Sequence, residues 1–181
     1  GCMDTRAVRH FQQLFLSFQR NTLELYRGQY ALFGNARVMS AKVLWDYAYY
    51  WGVLCPLVIG GRIADLALFS DLSTEMVAAE SLNLRMQALF RDWHASGRAR
   101  AAPAWMDQQQ LAWFACLNAR LHDNLDDTAI RARLRENIDL LHALADALAE
   151  AATRDAPRLA TGLLCTAAGE RARPELFDAA A

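Results

Sequence analysis

Five aromatic side chains with polar tips fall within seven positions: Trp45, Tyr47, Tyr49, Tyr50 and Trp51. A single acid, Asp46, sits among them. Each indole N–H and phenol O–H needs a partner when buried. On a helix these positions point in most directions, so the tips cannot all reach water or one common core. Three readings follow: the densest part of a core, the wall of a small-molecule pocket, or a contact surface with another domain or a second copy. Trp45, Asp46, Tyr47, Tyr50 and Trp51 are therefore the candidate ligand-or-interface residues. A membrane anchor fits poorly. Only fifteen uncharged residues separate Asp46 from Arg62, and Pro56 interrupts them, whereas a span needs roughly 18 or more.

Other chemistry-bearing groups do not assemble into a motif. Lys42 is the only lysine in the chain, but no motif surrounds it and it receives no catalytic role. Helical bundles hold metals through Glu-x-x-His pairs. Here the nearest pattern is Asp139-x-x-His142, and "HDNLDD" (His122 to Asp127) reads as a helix end and cap. Neither the G-x-S-x-G elbow nor the glycine cradles for dinucleotides and nucleoside triphosphates are present. Cys55, Cys116 and Cys165 stand in apolar surroundings, without the basic neighbours that activate a thiol, and read as small buried hydrophobes. No catalytic, metal-binding or cofactor-binding residue is assigned.

The elements that must position these groups are helices. Of 181 residues, 54% are hydrophobic and the formal charge is -1, which argues against a nucleic-acid surface. The basic run Arg131 to Arg135 belongs to a solvated helix face. Val8, Phe11, Phe15, Phe18, Thr22 and Leu25 recur at spacings of three and four, predicting a core-facing helix from Asp4 to Phe33. Residues Ala36 to Ile59 predict a central helix, with Val43, Tyr47, Tyr50, Leu54 and Val58 on one apolar face. Lys42, Asp46 and Tyr49 form its polar edge, and Pro56 kinks or ends it. "IADLALF" makes a short helix, and Leu72 to Ala95 a long one capped from Ser70, Asp71 or Ser73, with Ala79, Leu82, Met86, Leu89 and Trp93 inward. Ser96 to Ala104 reads as a loop. Asp107 to Leu125 and Asp127 to Ala152 are two further amphipathic helices. Beyond them a last short helix and a loose tail over 170–181 are expected. No stretch alternates with period two. The expectation is a single all-α domain over 1–181, a helical bundle of five to seven helices.

"YRGQYALFGNARVMSAKVLWDYAYYWGVL" (Tyr26 to Leu54) resembles the helical C-terminal portion of flavin-dependent halogenases of the tryptophan-halogenase type and of related flavin monooxygenase-like proteins. "LNLRMQALFRDWH" (Leu82 to His94) continues the likeness. The likeness lies in aromatic helix character and order, and spans a third to a half of the chain. The family's Gly-x-Gly-x-x-Gly, Trp-x-Trp-x-Ile-Pro and active-site lysine belong N-terminal to such a region and are missing here, so no catalytic or flavin-binding residue carries over. The resemblance implies a helical domain that packs on a flavin domain of the same polypeptide, covers or supports the substrate site, and is not catalytic alone. FAD would sit in that other domain, not in this chain. A leading glycine before Cys2 fits a piece cut from a longer polypeptide, with Met3 as the alternative start. The alternative is a stand-alone helical module for small-molecule binding or for forming a homo-oligomer. Either is expected in the cytoplasm, given the scattered cysteines.

Overall fold

Four side chains mark helix starts by accepting a backbone N–H from the turn that follows, the service a helix N-terminus requires. Asp4 takes the N–H of Arg6 at 3.0 Å, Asn35 that of Val38 at 3.1 Å, Asp65 that of Leu68 at 2.9 Å and Asp126 that of Ala129 at 2.8 Å. The computed structural model describes residues 4–97 and 108–156. Within them run α1 (Thr5–Tyr26), α2 (Ala36–Tyr49), α3 (Cys55–Ile59), α4 (Leu66–Asp71), α5 (Ser73–Ala95), α6 (Ala112–Ala119) and α7 (Asp127–Asp155). Short 3-10 turns cover Tyr30–Gly34, Gln108–Gln110 and Arg120–His122. The described residues contain no strand, and the fold is an all-α bundle. The expected last helix and the 170–181 tail lie outside the described residues.

The main core is built from α2, α5, α6 and α7, with Trp45, Trp93, Phe90, Leu44, Leu144 and Leu148 fully enclosed. The inward set expected for α5 is buried throughout, as are Ile130, Leu134, Ile138, Leu141, Leu144 and Leu148 of α7. A smaller cluster joins Leu57 of α3, Leu68 of α4 and Leu72 to Ile130 and Leu134 of α7. The cap expected for α5 from Ser70, Asp71 or Ser73 is not made; Leu72 occupies that position without a side-chain bond. Arg131, Arg133 and Arg135 are each bonded to an acid, Asp71, Asp123 and Glu75; of the run expected to be solvated, Arg135 is exposed, while Arg131 and Arg133 are largely covered. Cys55 is buried, but Cys116 faces solvent, contrary to expectation, because α6 buries Phe114 and Leu117 instead. Replacing Asp126 by Ala should destabilise the chain by about 1 kcal/mol through loss of the α7 cap, read as a lower urea midpoint at unchanged slope.

The helix expected over Ala36 to Ile59 runs without a gap, and its α geometry is interrupted ahead of the proline. Pro56 has no N–H to give the carbonyl four residues back, at Gly52. The chain widens into one π turn at Tyr50–Leu54, where the Cys55 N–H reaches the Tyr50 carbonyl. Asn137 of α7, itself buried, donates to the released Gly52 carbonyl at 2.8 Å. Such π turns inside helices are frequent at functional sites.

The first helix departs most from expectation. It stops at Tyr26, and Gly28 takes φ +68°, a turn conformation glycine adopts without strain. The stripe of Val8, Phe11, Phe15 and Phe18 does not face the core; each is between 41% and 65% exposed. Instead α1 docks on the rest of the bundle through a face roughly 100° away round the helix, carrying His10, Ser17, Asn21 and Glu24. His10 Nε2 donates to the Ile63 carbonyl at 2.9 Å, Ser17 Oγ donates to Glu80 at 2.7 Å, and Glu24 accepts from Arg91 at 3.4 Å. Asn21 is the one buried residue of the helix. Polar pairing thus fixes α1, and its apolar stripe is left over.

Candidate functional site

Beside that stripe, α1, the Tyr30–Gly34 turn and α2 enclose an open cavity of about 300 Å³. Its volume is at the low end of the ~300–1,000 Å³ usual for small-molecule sites. Tyr26, Tyr30, Phe33, Tyr47 and Tyr50 form the walls, with Leu25, Met39 and Leu54 between them. Tyr30 and Phe33 stack at 6.2 Å between centroids. At the inner end the lining turns polar: Lys42, Asp46, Asn21, Asn83 and Gln29.

Lys42 and Asp46, one helical turn apart on α2, are joined in an ion pair. Only 5% of the Lys42 side chain and 22% of that of Asp46 meet solvent. The polar edge of α2 is thus turned inward, where Gln87 of α5 meets it. Asp46 Oδ1 accepts from Gln87 Nε2 at 2.7 Å, which also reaches Asn83 Oδ1 at 3.3 Å. Asn83 donates to Asn21 at 2.7 Å and accepts from the Trp45 indole at 2.9 Å. Gln29 donates to Gln87, while its own Oε1 is buried without a partner.

Burial raises the Asp46 carboxyl above its ordinary value, and this outweighs the lowering by Lys42 and Gln87. The Tyr49 phenol is likewise pushed up, first by burial and then by the Glu80 charge, so it stays an O–H donor. The site is therefore a largely buried, polar end wall behind an aromatic vestibule.

The sequence-derived candidates divide. Asp46, Tyr47 and Tyr50 line the cavity. Trp45 lies beneath it, fully enclosed, as the support of Asn83. Trp51 packs against both Tyr47 at 5.1 Å and Phe114 at 4.7 Å, and borders a second cavity near Arg62, Arg120 and Arg133. The arginines of that cavity are all engaged by acids. Lys42, read from the sequence as part of a polar edge without a catalytic role, lines the cavity too, whereas Asn21, Asn83 and Gln87 had not been singled out. Their signal was the interruption of apolar stripes by Asn21, and by Asn83 and Gln87 one turn apart. Trp45→Phe should cost about 1–2 kcal/mol more than Trp93→Phe, since the buried Trp93 indole has no partner to lose; paired urea melts read the difference.

Fold and site together define an all-helical bundle with an aromatic cavity closed by a buried ion pair. No protein-family model, curated protein or solved structure matches the chain. No helix among the described residues is long and apolar enough to cross a membrane, and no described group of three or more His, Cys, Asp or Glu could hold a metal ion.

Proposed function

We propose that this chain is the helical C-terminal domain of a flavin-dependent, halogenase-like oxidoreductase, and that it packs its aromatic face on the flavin domain of the same polypeptide. The observation that carries the reading is the unpartnered face itself. Phe11, Phe15 and Phe18 of α1 continue into Tyr26, Tyr30 and Phe33, with Tyr47 and Tyr50 across the cavity mouth, all between 46% and 72% exposed. At about 200 Å² per aromatic side chain, the face presents about 900 Å². That exceeds the ~300–600 Å² patch of an ordinary monomer surface and falls within the ~600–1,500 Å² of an interdomain contact. Cavities favour domain interfaces. A domain seated here closes the vestibule, leaving Lys42 and Asp46 at the far end. FAD and the catalytic groups belong to that second domain. Cys55 and Cys116 are free thiols, in keeping with a cytoplasmic setting.

The reading frame upstream of residue 1 tests this at once. A Gly-x-Gly-x-x-Gly following a strand pattern, and a yellow, flavin-bearing product from the longer chain, are expected. A frame without that signature removes the flavin reading. The second reading, a module that binds a small apolar molecule by itself, is favoured by the cavity alone. It requires that an aromatic ligand change the fluorescence of the 181-residue chain, and that Tyr47→Ala weaken the response.

A further inference from the structure

We propose that Lys42 captures an aromatic aldehyde or ketone in the cavity as an imine, with Asp46 handling the protons. The inference rests on the reading of the cavity as a binding site and adds covalent chemistry to it. Every other cationic side chain among the 19 lysines and arginines is an arginine. Arginine holds its proton at any accessible pH, whereas a buried lysine can give its proton up. The one lysine is placed at the inner end of the cavity, nearly sealed from water, beside a carboxyl that burial has made easier to protonate. Lysine amines, unlike guanidinium groups, form Schiff bases with carbonyl compounds. The walls supply flat apolar contact on a scale that admits one or two fused rings.

The step balances within the pair. Asp46 takes a proton from the Lys42 ammonium, and the neutral Nζ attacks the carbonyl carbon. The C=O π electrons move to oxygen, which takes a proton from the now cationic Nζ, giving a neutral carbinolamine. Asp46 returns its proton to the hydroxyl, water leaves, and the nitrogen lone pair completes the C=N bond. The product is a protonated imine beside the Asp46 carboxylate, so the charge pair is restored and no oxidant or reductant is consumed.

Reductive trapping tests this on the intact chain. The protein is incubated with 2-naphthaldehyde and sodium cyanoborohydride, then mapped by peptide mass spectrometry. The sole lysine makes the result clear, with the α-amino terminus as internal control. The expected result is one adduct on Lys42, blocked by excess 2-naphthylmethanol and absent in Lys42→Arg, and trapping slowed about 100-fold in Asp46→Asn. Labelling of the terminus without Lys42 overturns the proposal. So does labelling of Lys42 that naphthylmethanol fails to block. Binding of naphthylmethanol, followed separately by fluorescence, tells the two failures apart. An alcohol that binds while Lys42 stays unlabelled leaves the cavity reading standing and removes the imine. An alcohol that does not bind removes the cavity reading as well.

Discussion

Asp46→Leu should destabilise the chain by about 3–5 kcal/mol, because it strands the buried Lys42 ammonium without its counter-charge. Lys42→Met should do comparable damage by stranding the carboxylate, which loses the Lys42 donor and keeps that of Gln87. The double variant Lys42→Met/Asp46→Leu should recover most of the loss, since apolar pairs of similar volume commonly replace buried ion pairs without penalty. A double-mutant cycle from urea melts reads this as strong non-additivity. Losses that simply add would show that the two side chains do not act as a pair. A pH series on the wild type adds a check on sign. The folded Asp46 carboxyl titrates above its unfolded value. The folded state therefore holds the extra proton between the two values, and this group's contribution to stability falls as pH rises through them. That component should vanish in the double variant.

Phe15→Asp/Phe18→Asp carries the other large effect, and it should be invisible in the isolated chain. Both side chains are more than half exposed, and exposed substitutions commonly stay within about 0.5 kcal/mol. The melting curve of the 181-residue chain should not move. Under the proposed reading the same pair would be covered by the flavin domain in a longer protein, where aromatic anchors are worth about 2 kcal/mol or more each. The helical domain should then become loosely held, accessible to protease, with flavin retention impaired. A melting curve that falls in the isolated chain would instead place the stripe in its own core.

Much of the architecture was legible in periodicity. The inward faces of α5 and α7 were read correctly because those helices bury one apolar stripe against other apolar stripes. Asp126 was legible as a cap because its chemistry is local. The α1 stripe misled for the opposite reason. Its 3.6-residue repeat says that an apolar face exists, not which partner covers it, and here Ser17, Asn21 and Glu24 dock the helix through hydrogen bonds instead. The edge formed by Lys42, Asp46 and Tyr49 was legible as polar, but not the groups that meet it. Charged residues read as solvated unless a facing helix offers amides, and Asn83 and Gln87 are sixty or so positions from Asn21 and Gln29. The π turn was half legible. Pro56 announced a disturbance, but its displacement to Tyr50–Leu54 depended on Asn137, far along the chain.

The central claim is that the aromatic face of α1 and the cavity mouth is a domain contact. It is tested most directly by thiol labelling of Phe15→Cys, mapped site by site, in the 181-residue chain and in the longer protein from the same reading frame. The account predicts fast labelling in the short chain, comparable to that of exposed Cys116, and strong protection in the longer one. Equal rates in both would contradict it.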